Sequence, residues 1–170
     1  MEENILEIFS SIQGEGKYIG ARQAFLRFAG CNIKCSFCDT AFQPAASCRV
    51  EAIPGCGEYE EVSNPLSVQE VAARIRSFVV PVRHHSISLT GGEPLLHAAF
   101  IRALASEVNV PFFLETNGTL YEEMASILDI ISYISMDIKL PSVTGKPLWE
   151  EHRRFLRLLH NHDAYVKIVV

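Results

Sequence analysis

Three cysteines lie close together in the segment Gly30-Cys31-Asn32-Ile33-Lys34-Cys35-Ser36-Phe37-Cys38. The spacing C-x3-C-x2-C lets one loop place three thiolates around a single inorganic cluster. A structural zinc site needs four closed ligands, and neither cysteine nor histidine follows within a few residues of Cys38. The triplet therefore favours a [4Fe–4S] cluster whose fourth iron is open to the amino and carboxylate groups of S-adenosylmethionine. A zinc loop and a set of buried cysteines are the alternatives.

A second segment that can bind a ligand is Thr90-Gly91-Gly92-Glu93-Pro94, which directly follows the apolar run Ser86–Thr90. Paired glycines let a backbone approach a ligand, and the carboxyl ends of parallel strands are where such sheets build their sites. A sharp turn between a strand and a helix is the alternative for the glycines. Glu93 can either bind the ligand or cap the helix that follows.

Polar residues also end two further apolar runs. Ser135 and Asp137 alternate with apolar neighbours in Tyr133-Ile134-Ser135-Met136-Asp137-Ile138-Lys139, and Glu115-Thr116-Asn117-Gly118 ends the preceding run. Both sets would reach the same rim of a parallel sheet and contact a ligand there. Solvent-facing polar residues at a strand end are the alternative.

Strands and helices that position these residues alternate along the chain. Apolar runs predict strands at Ala24–Phe28, Ser86–Thr90, Phe112–Glu115, Tyr133–Asp137 and Tyr165–Val170. Apolar positions with helical spacing predict helices around residues 68–78, 100–108, 124–128 and 155–159. This order predicts an α/β fold, a partial (βα) barrel of parallel strands. Because the sequence stops at Val170 inside an apolar run, we expect the barrel to be truncated at the carboxyl terminus.

Composition narrows the classes of function. The 170 residues fit one domain, and a net charge of −5 without a long basic run argues against nucleic-acid binding. Neither a signal peptide nor a long uninterrupted apolar stretch is present, so we expect a cytoplasmic protein away from the membrane. Residues 43–64, with Cys48 and Cys56, predict an irregular inserted loop whose cysteines do not bind the cluster. An exposed edge on the last predicted strand would favour a homodimer.

The triplet, with an aromatic residue before its third cysteine and Asp39-Thr40 after it, resembles the radical S-adenosylmethionine superfamily. The resemblance implies that the Phe37 ring lies along the adenine, with core packing as the alternative. It also implies that the glycine-rich segment contacts the methionine amino group. The S-adenosylmethionine site implied in this way comprises Phe37, Cys38, Asp39, Gly91, Gly92, Glu93, Glu115, Ser135, Met136 and Asp137.

The amino-terminal segment Phe9-Ser10-Ser11-Ile12-Gln13-Gly14-Glu15-Gly16, together with Arg27 and Asp137-Ile138-Lys139-Leu140-Pro141-Ser142, is similar to the 7-carboxy-7-deazaguanine synthases of queuosine biosynthesis. The resemblance implies a lyase that converts 6-carboxy-5,6,7,8-tetrahydropterin to 7-carboxy-7-deazaguanine with loss of ammonia. A deoxyadenosyl radical abstracts a substrate hydrogen atom there, and S-adenosylmethionine is regenerated. The implied substrate site comprises Ile12, Gln13, Gly14, Glu15, Arg27 and Thr90.

The same resemblance implies a Mg²⁺ ion on Thr40 and a reductant such as flavodoxin or ferredoxin, and no side chain is assigned as a general base. A surface ion pair is the alternative for Arg27, a plain turn for Gln13–Gly16, and a hydrogen bond within its own loop for Thr40. After Ser142 the chain departs from the family pattern with Val143-Thr144. A glycyl-radical activating enzyme and a non-enzymatic iron–sulfur or zinc module are the rival functions.

Overall fold

The computed structural model describes residues 1–38 and 43–168 of the chain. Its strands and helices are, in order, β1 (Glu2–Glu3), β2 (Ile5–Ile12), β3 (Arg22–Phe28), β4 (Ser47–Glu51), β5 (Tyr59–Ser63), β6 (Leu66–Ser67), α1 (Val68–Val79), β7 (Ser86–Gly91), α2 (Ala98–Ala105), β8 (Phe112–Thr116), α3 (Tyr121–Ile127), β9 (Ile131–Ile138), α4 (Pro141–Thr144), α5 (Trp149–Leu158) and β10 (Ala164–Ile168). Short 3₁₀ helices cover Gly16–Tyr18, Pro94–His97 and Leu128–Ile130. The five predicted strands correspond to β3, β7, β8, β9 and β10, and the predicted helices to α1, α2, α3 and α5. Val169 and Val170, which end the last predicted strand, lie outside the described residues.

Within the described residues, β10-β9-β8-β7-β3-β2-β4-β5 form an eight-stranded sheet, and β1 pairs with β6 in a separate ribbon. The strands from β3 through β7, β8 and β9 to β10 are all parallel. β2 joins β3 antiparallel, and β4 joins β2 parallel. The predicted sheet of parallel strands with intervening helices is therefore confirmed, and the β2 strand extends it on a side where the sequence predicted none.

The first helix illustrates how sequence sets these elements. α1 begins at a capping box, in which the Ser67 hydroxyl accepts from the Glu70 amide at 3.3 Å and the Glu70 carboxylate accepts from the Ser67 amide at 2.8 Å. Val71, Ile75 and Phe78 then fall on one face and are buried. α1 packs against α2, α2 against α3, and α3 against α5, so the helices form a continuous layer. None of the described helices has both the length and the apolar character needed to span a bilayer.

The segment 43–64 corrects the prediction of an irregular loop, because it contains the antiparallel hairpin of β4 and β5. The Glu51 carboxylate is buried and holds the hairpin's turn to β2. It accepts hydrogen bonds from the backbone amides of Ser10 at 2.8 Å, Gly55 at 3.0 Å and Gly57 at 2.8 Å. Three donors on one carboxylate compensate for its removal from water.

Candidate active site

A cavity of about 970 Å³ opens at the carboxyl ends of the five parallel strands. This is the edge at which the sequence predicted a site. The wall is mixed, with thiols, carboxylates, amines and aromatic rings facing one space. It comprises Ile12, Gln13, Gly14, Glu15, Gly16, Phe25, Arg27, Cys31, Ile33, Cys35, Phe37, Cys38, Thr90, Gly91, Gly92, Glu115, Thr116, Asn117, Asp137, Lys139, Lys167 and Ile168.

All three cysteines of the triplet lie on the wall of this cavity. Cys31 and Cys35 are half-buried, whereas Cys38 is exposed. Burial raises the pKa of the Cys31 thiol, and the pKa of Cys35 is raised mainly by burial and partly lowered by the nearby charge of Lys139. Cys48 and Cys56, which lie on the hairpin and its turn, do not line the cavity. Among the residues that the structure describes, no three His, Cys, Asp or Glu side chains are arranged around a single metal ion.

The paired glycines bind the base of the cysteine loop through the backbone. The Gly92 amide donates to the Phe28 carbonyl at 3.1 Å, and the Glu93 amide donates to the Gly30 carbonyl at 2.8 Å. A Cβ on Gly91, which has φ +120°, would lie 2.2 Å from the Phe28 carbonyl oxygen, and one on Gly92 would lie 1.8 Å from that of Gly30. Both positions therefore require glycine because two backbones meet there, in addition to any approach by a ligand.

Glu93 is fully buried and is not among the residues that line the cavity. Its carboxylate caps the 3₁₀ helix Pro94–His97 by accepting from the Leu95 amide at 3.1 Å. It also accepts from the Thr116 hydroxyl at 2.9 Å and the Asn117 amide at 2.8 Å. Burial is the main cause that raises the pKa of Glu93 to about 7. The capping alternative for Glu93 is therefore confirmed, and its contact with S-adenosylmethionine stays a prediction.

The predicted trio on β9 is divided between the interior and the cavity. Asp137 lines the cavity, whereas Ser135 and Met136 are buried behind the wall. The Ser135 hydroxyl is enclosed by protein, and Met136 packs against Gly118, where a Cβ would lie 2.4 Å from the Met136 side chain. Side chains on neighbouring positions of a strand point to opposite faces, which separates Met136 from Asp137. Of the three, Asp137 has its side chain on the cavity wall, and the contacts of Ser135 and Met136 with S-adenosylmethionine stay predictions.

The polar residues predicted to contact a substrate form a hydrogen-bonded group. The Gln13 amide donates to the Glu115 carboxylate at 2.8 Å and to the Gln23 side-chain oxygen at 3.1 Å. Glu115 also accepts from the Thr90 hydroxyl at 3.2 Å. Gln13 therefore fixes the orientation of Glu115, and its amide nitrogen is already engaged before any ligand arrives.

Arg27 forms the ion pair that one interpretation predicted, and it lies on the cavity wall, where its binding of a substrate carboxylate stays a prediction. Its Nε donates to the Glu7 carboxylate at 3.0 Å, which is the ion pair, and its side chain lines the cavity. The guanidinium carbon also lies 5.8 Å from the centroid of the Phe9 ring. Within the part of the chain that the structure describes, the side chain of Arg27 donates a hydrogen bond through its Nε and not through its two terminal nitrogens.

Comparison with known proteins agrees with this geometry. Residues 26–169 match the radical SAM superfamily. The chain is 44% identical over 170 residues to the 7-carboxy-7-deazaguanine synthase of Geobacter sulfurreducens, covering 96% of this chain and 68% of that protein. It is 45% identical over 140 residues to the synthase of Archaeoglobus fulgidus, covering 82% of this chain and 56% of that protein. The chain belongs to the 7-carboxy-7-deazaguanine synthase family of radical SAM proteins.

A solved structure supports the radical SAM fold independently. The crystal structure of QueE from Escherichia coli superposes with a TM-score of 0.55 over 99% of this chain and 85% of that one, at 18% sequence identity. The curated synthases are longer than this chain, which spans 51% of the relative from Methanothermobacter thermautotrophicus.

The residues present fit the two cofactors that radical SAM proteins carry. Three thiols face one cavity, which supplies the donor set of an open [4Fe–4S] cluster. The glycine pair and the ring of Phe37 line the same cavity, so an amino-acid group and an adenine have both backbone and aromatic surface beside the thiols. Asp39 and Thr40, predicted to bind S-adenosylmethionine and Mg²⁺, lie outside the described residues.

The sequence missed two lysines of this radical SAM site. The Lys139 amine lies 2.8 Å from one Asp137 oxygen, and the Lys167 amine lies 3.5 Å from the other and 3.2 Å from Glu15. Burial lowers the pKa of Lys167, but the surrounding carboxylates, chiefly Asp137, outweigh it and leave that pKa raised. Lys139 follows Asp137 at the spacing of one strand face, which was the available signal. Lys167 had no signal beyond its place on the last strand.

Proposed function

We propose that this chain converts 6-carboxy-5,6,7,8-tetrahydropterin to 7-carboxy-7-deazaguanine with loss of ammonia. The observation that carries the proposal is the shared cavity, in which the cysteine triplet and the Arg27 guanidinium face the same space. The volume of about 970 Å³ is at the upper end of the range of cavities that bind small molecules and cofactors. The curated relatives at up to 45% identity carry the name of this activity.

When bound, the cluster and S-adenosylmethionine would supply the one-electron chemistry that removes a hydrogen atom from the substrate. Cys31, Cys35 and Cys38 would hold the cluster. For S-adenosylmethionine, we assign contacts to Phe37 and the glycine pair, and to Asp137 and Glu115 through their carboxylates. These residues bind and orient, and the cavity wall keeps water from the reacting groups.

Arg27 is the residue that we assign to the substrate carboxylate. Because Glu7 engages only its Nε among the described residues, the two terminal nitrogens are available for a planar, two-pronged pair with a carboxylate. The backbone at Ile12–Gly14 would approach the pterin ring beside Glu115 and Thr90, which line the same cavity. Gln13 would act there mainly by holding Glu115 in place.

The remaining proposals concern the metal ion, the electron donor, the oligomeric state and the location. We propose Mg²⁺ on the hydroxyl of Thr40, an external reductant such as flavodoxin or ferredoxin, a homodimer, and a cytoplasmic location. A hard cation of this kind takes oxygen ligands from the protein, substrate and water, which a single hydroxyl and a carboxylated pterin would provide. Neither the glycyl-radical activating enzyme nor the non-enzymatic module has support in the relatives described above, each of which is named a 7-carboxy-7-deazaguanine synthase.

The decisive experiment is product formation under anaerobic conditions. Reconstituted protein is incubated with dithionite, S-adenosylmethionine and the carboxytetrahydropterin, and 7-carboxy-7-deazaguanine is measured by liquid chromatography and mass spectrometry. Product that depends on S-adenosylmethionine supports the proposal. Loaded cluster without any deazaguanine product would refute it.

Two arginines give a matched test of the substrate contact. Arg27 and Arg49 bind opposite oxygens of the same Glu7 carboxylate, at 3.0 and 2.9 Å, but only Arg27 lines the cavity. Arg27→Lys should raise KM about tenfold, the value of one lost charge-assisted hydrogen bond, because lysine cannot form the two-pronged pair. Arg49→Lys should leave KM unchanged. Equal effects of the two substitutions would mean that Arg27 acts only through its ion pair.

A further inference from the structure

Asn117 is the residue that follows β8, and its side chain lines the cavity beside the first cysteine. Its amide nitrogen lies 3.9 Å from the Cys31 sulfur and 2.8 Å from the Asn32 side-chain oxygen. The residue is 6% exposed, so its polar atoms depend on protein partners. Sequence analysis placed Asn117 at a strand end without a specific task.

The orientation of the Asn117 amide is fixed by its neighbours. The Thr119 backbone amide, which can only donate, lies 3.1 Å from the Asn117 side-chain oxygen, and the Thr119 hydroxyl donates to the same oxygen at 2.6 Å. The Asn32 amide in turn donates to the Thr119 hydroxyl at 2.8 Å, which directs the Asn32 oxygen towards Asn117. The NH₂ group of Asn117 must therefore face Asn32 and the Cys31 sulfur.

The backbone of Asn117 is equally well held. Its amide donates to the buried Glu93 carboxylate at 2.8 Å, and its carbonyl accepts from His152 Nε2 at 3.1 Å. One of the two side-chain hydrogens goes to Asn32, which leaves the other directed at the sulfur. The residue is thus anchored on β8, the 3₁₀ helix cap and α5, and presents one N–H to a cluster ligand.

We propose that Asn117 is a positioning residue that donates an amide hydrogen bond to the Cys31 thiolate and raises the reduction potential of the cluster. A donor to a ligating sulfur stabilises negative charge, and the reduced cluster carries more of it than the oxidised one. Loss of the donor therefore makes the cluster harder to reduce. The inference rests on the cluster of the proposed function and is independent of the pterin substrate.

The test is a redox titration of the anaerobically reconstituted cluster, followed by electron paramagnetic resonance without substrate. Asn117→Ala should lower the equilibrium constant for one-electron reduction by up to about tenfold, a shift of up to about 59 mV to more negative potential, because the bond is present in both oxidation states and only its strengthening on reduction contributes. The matched control is Thr119→Ser, which alters the neighbouring residue but keeps the hydroxyl that binds Asn117 and Asn32, and so leaves the NH₂ group beside the sulfur. Its potential should equal that of the wild type.

An unchanged potential in Asn117→Ala, or an equal shift in Thr119→Ser, would overturn the proposal. Asn117→Leu is a second variant that keeps the approximate size of the side chain without a donor or a charge, and it too must titrate at a more negative potential. A third measurement needs no substitution: protein labelled with ¹⁵N only at asparagine side-chain amides should give a ¹⁵N coupling in pulsed resonance spectra of the reduced cluster. Absence of that coupling would also refute the hydrogen bond.

These outcomes are separable from those of the activity assay. A protein that forms no deazaguanine but shows the potential shift keeps the role of Asn117 and loses the proposed substrate. If the wild type forms product and the potential of Asn117→Ala is unshifted, the proposed substrate stands and the role of Asn117 is refuted.

Discussion

Substitution of Gly92 by alanine should disrupt the cysteine loop through backbone contact alone. The new Cβ would lie 1.8 Å from the Gly30 carbonyl oxygen and 2.5 Å from its carbonyl carbon. Neither atom belongs to a flexible side chain, so the Gly30 peptide itself must move by about 1 Å or more to reach an ordinary contact distance. Gly30 directly precedes Cys31, so this movement is passed to the first cluster ligand.

The cost can be estimated from the contacts that the movement breaks. Overpacking costs about 1–3 kcal/mol. The hydrogen bond from the Glu93 amide to the Gly30 carbonyl, now 2.8 Å, adds about 1 kcal/mol when it is lost. We therefore expect the free energy of unfolding of the apo protein to fall by about 2–4 kcal/mol, with a lower iron content after reconstitution.

Gly14→Ala is the matched control, because Gly14 lines the same cavity and a Cβ there meets nothing within 4 Å. Its free energy of unfolding should change by less than about 1 kcal/mol, with full iron content. Chemical denaturation and iron and sulfide analysis of both variants give the comparison. Full stability and full iron content in Gly92→Ala would refute the steric argument.

Three further predictions concern the core, a helix start and the remaining cysteines. Because the pKa of Glu93 is raised from 4.5 to about 7, the folded chain keeps a proton that the unfolded chain releases. The free energy of unfolding should therefore fall by up to about 3 kcal/mol as the pH rises from 5 to 7. Denaturation curves of Glu93→Gln should not show this fall. Ser67→Ala removes the capping hydroxyl of α1 and should lower the free energy of unfolding by about 1 kcal/mol, which is measured as a lower melting temperature. An unchanged melting temperature would contradict the capping box. Cys48→Ala and Cys56→Ala should both retain full iron content, and only the substitution of the buried Cys48 should lower stability. Loss of iron in either variant would mean that the substituted cysteine is a ligand of the cluster.

The parallel part of the fold could be predicted because its strands are buried on both faces. Ile87 and Leu89 on β7 are fully buried together with Ser86 and Ser88, so the sequence of this run is typical of a buried strand. The strand β5 was missed because four of its five residues are exposed and its sequence is dominated by charge. Where packing does not shape a strand, its sequence carries little periodic signal.

The candidate site shows the same division between local and distant information. The cysteine spacing and the glycine pair are local patterns, and both were found in the cavity wall. The role of Glu93 depends on contacts with Thr116 and Asn117, more than twenty residues away, and no local pattern could decide between capping and ligand binding. Lys167 was missed for the same reason, because its partner carboxylates come from other strands and loops.

The buried Glu51 carboxylate should slow amide hydrogen exchange in the turn between β4 and β5 to the rate of a core strand. The amide hydrogens of Ser10, Gly55 and Gly57 all point at this one side chain, so opening the turn would leave a charge without its donors inside the protein. These three amides should therefore exchange with deuterium together and slowly, at the rate of the β2 strand, although Gly55 and Gly57 lie in a hairpin turn.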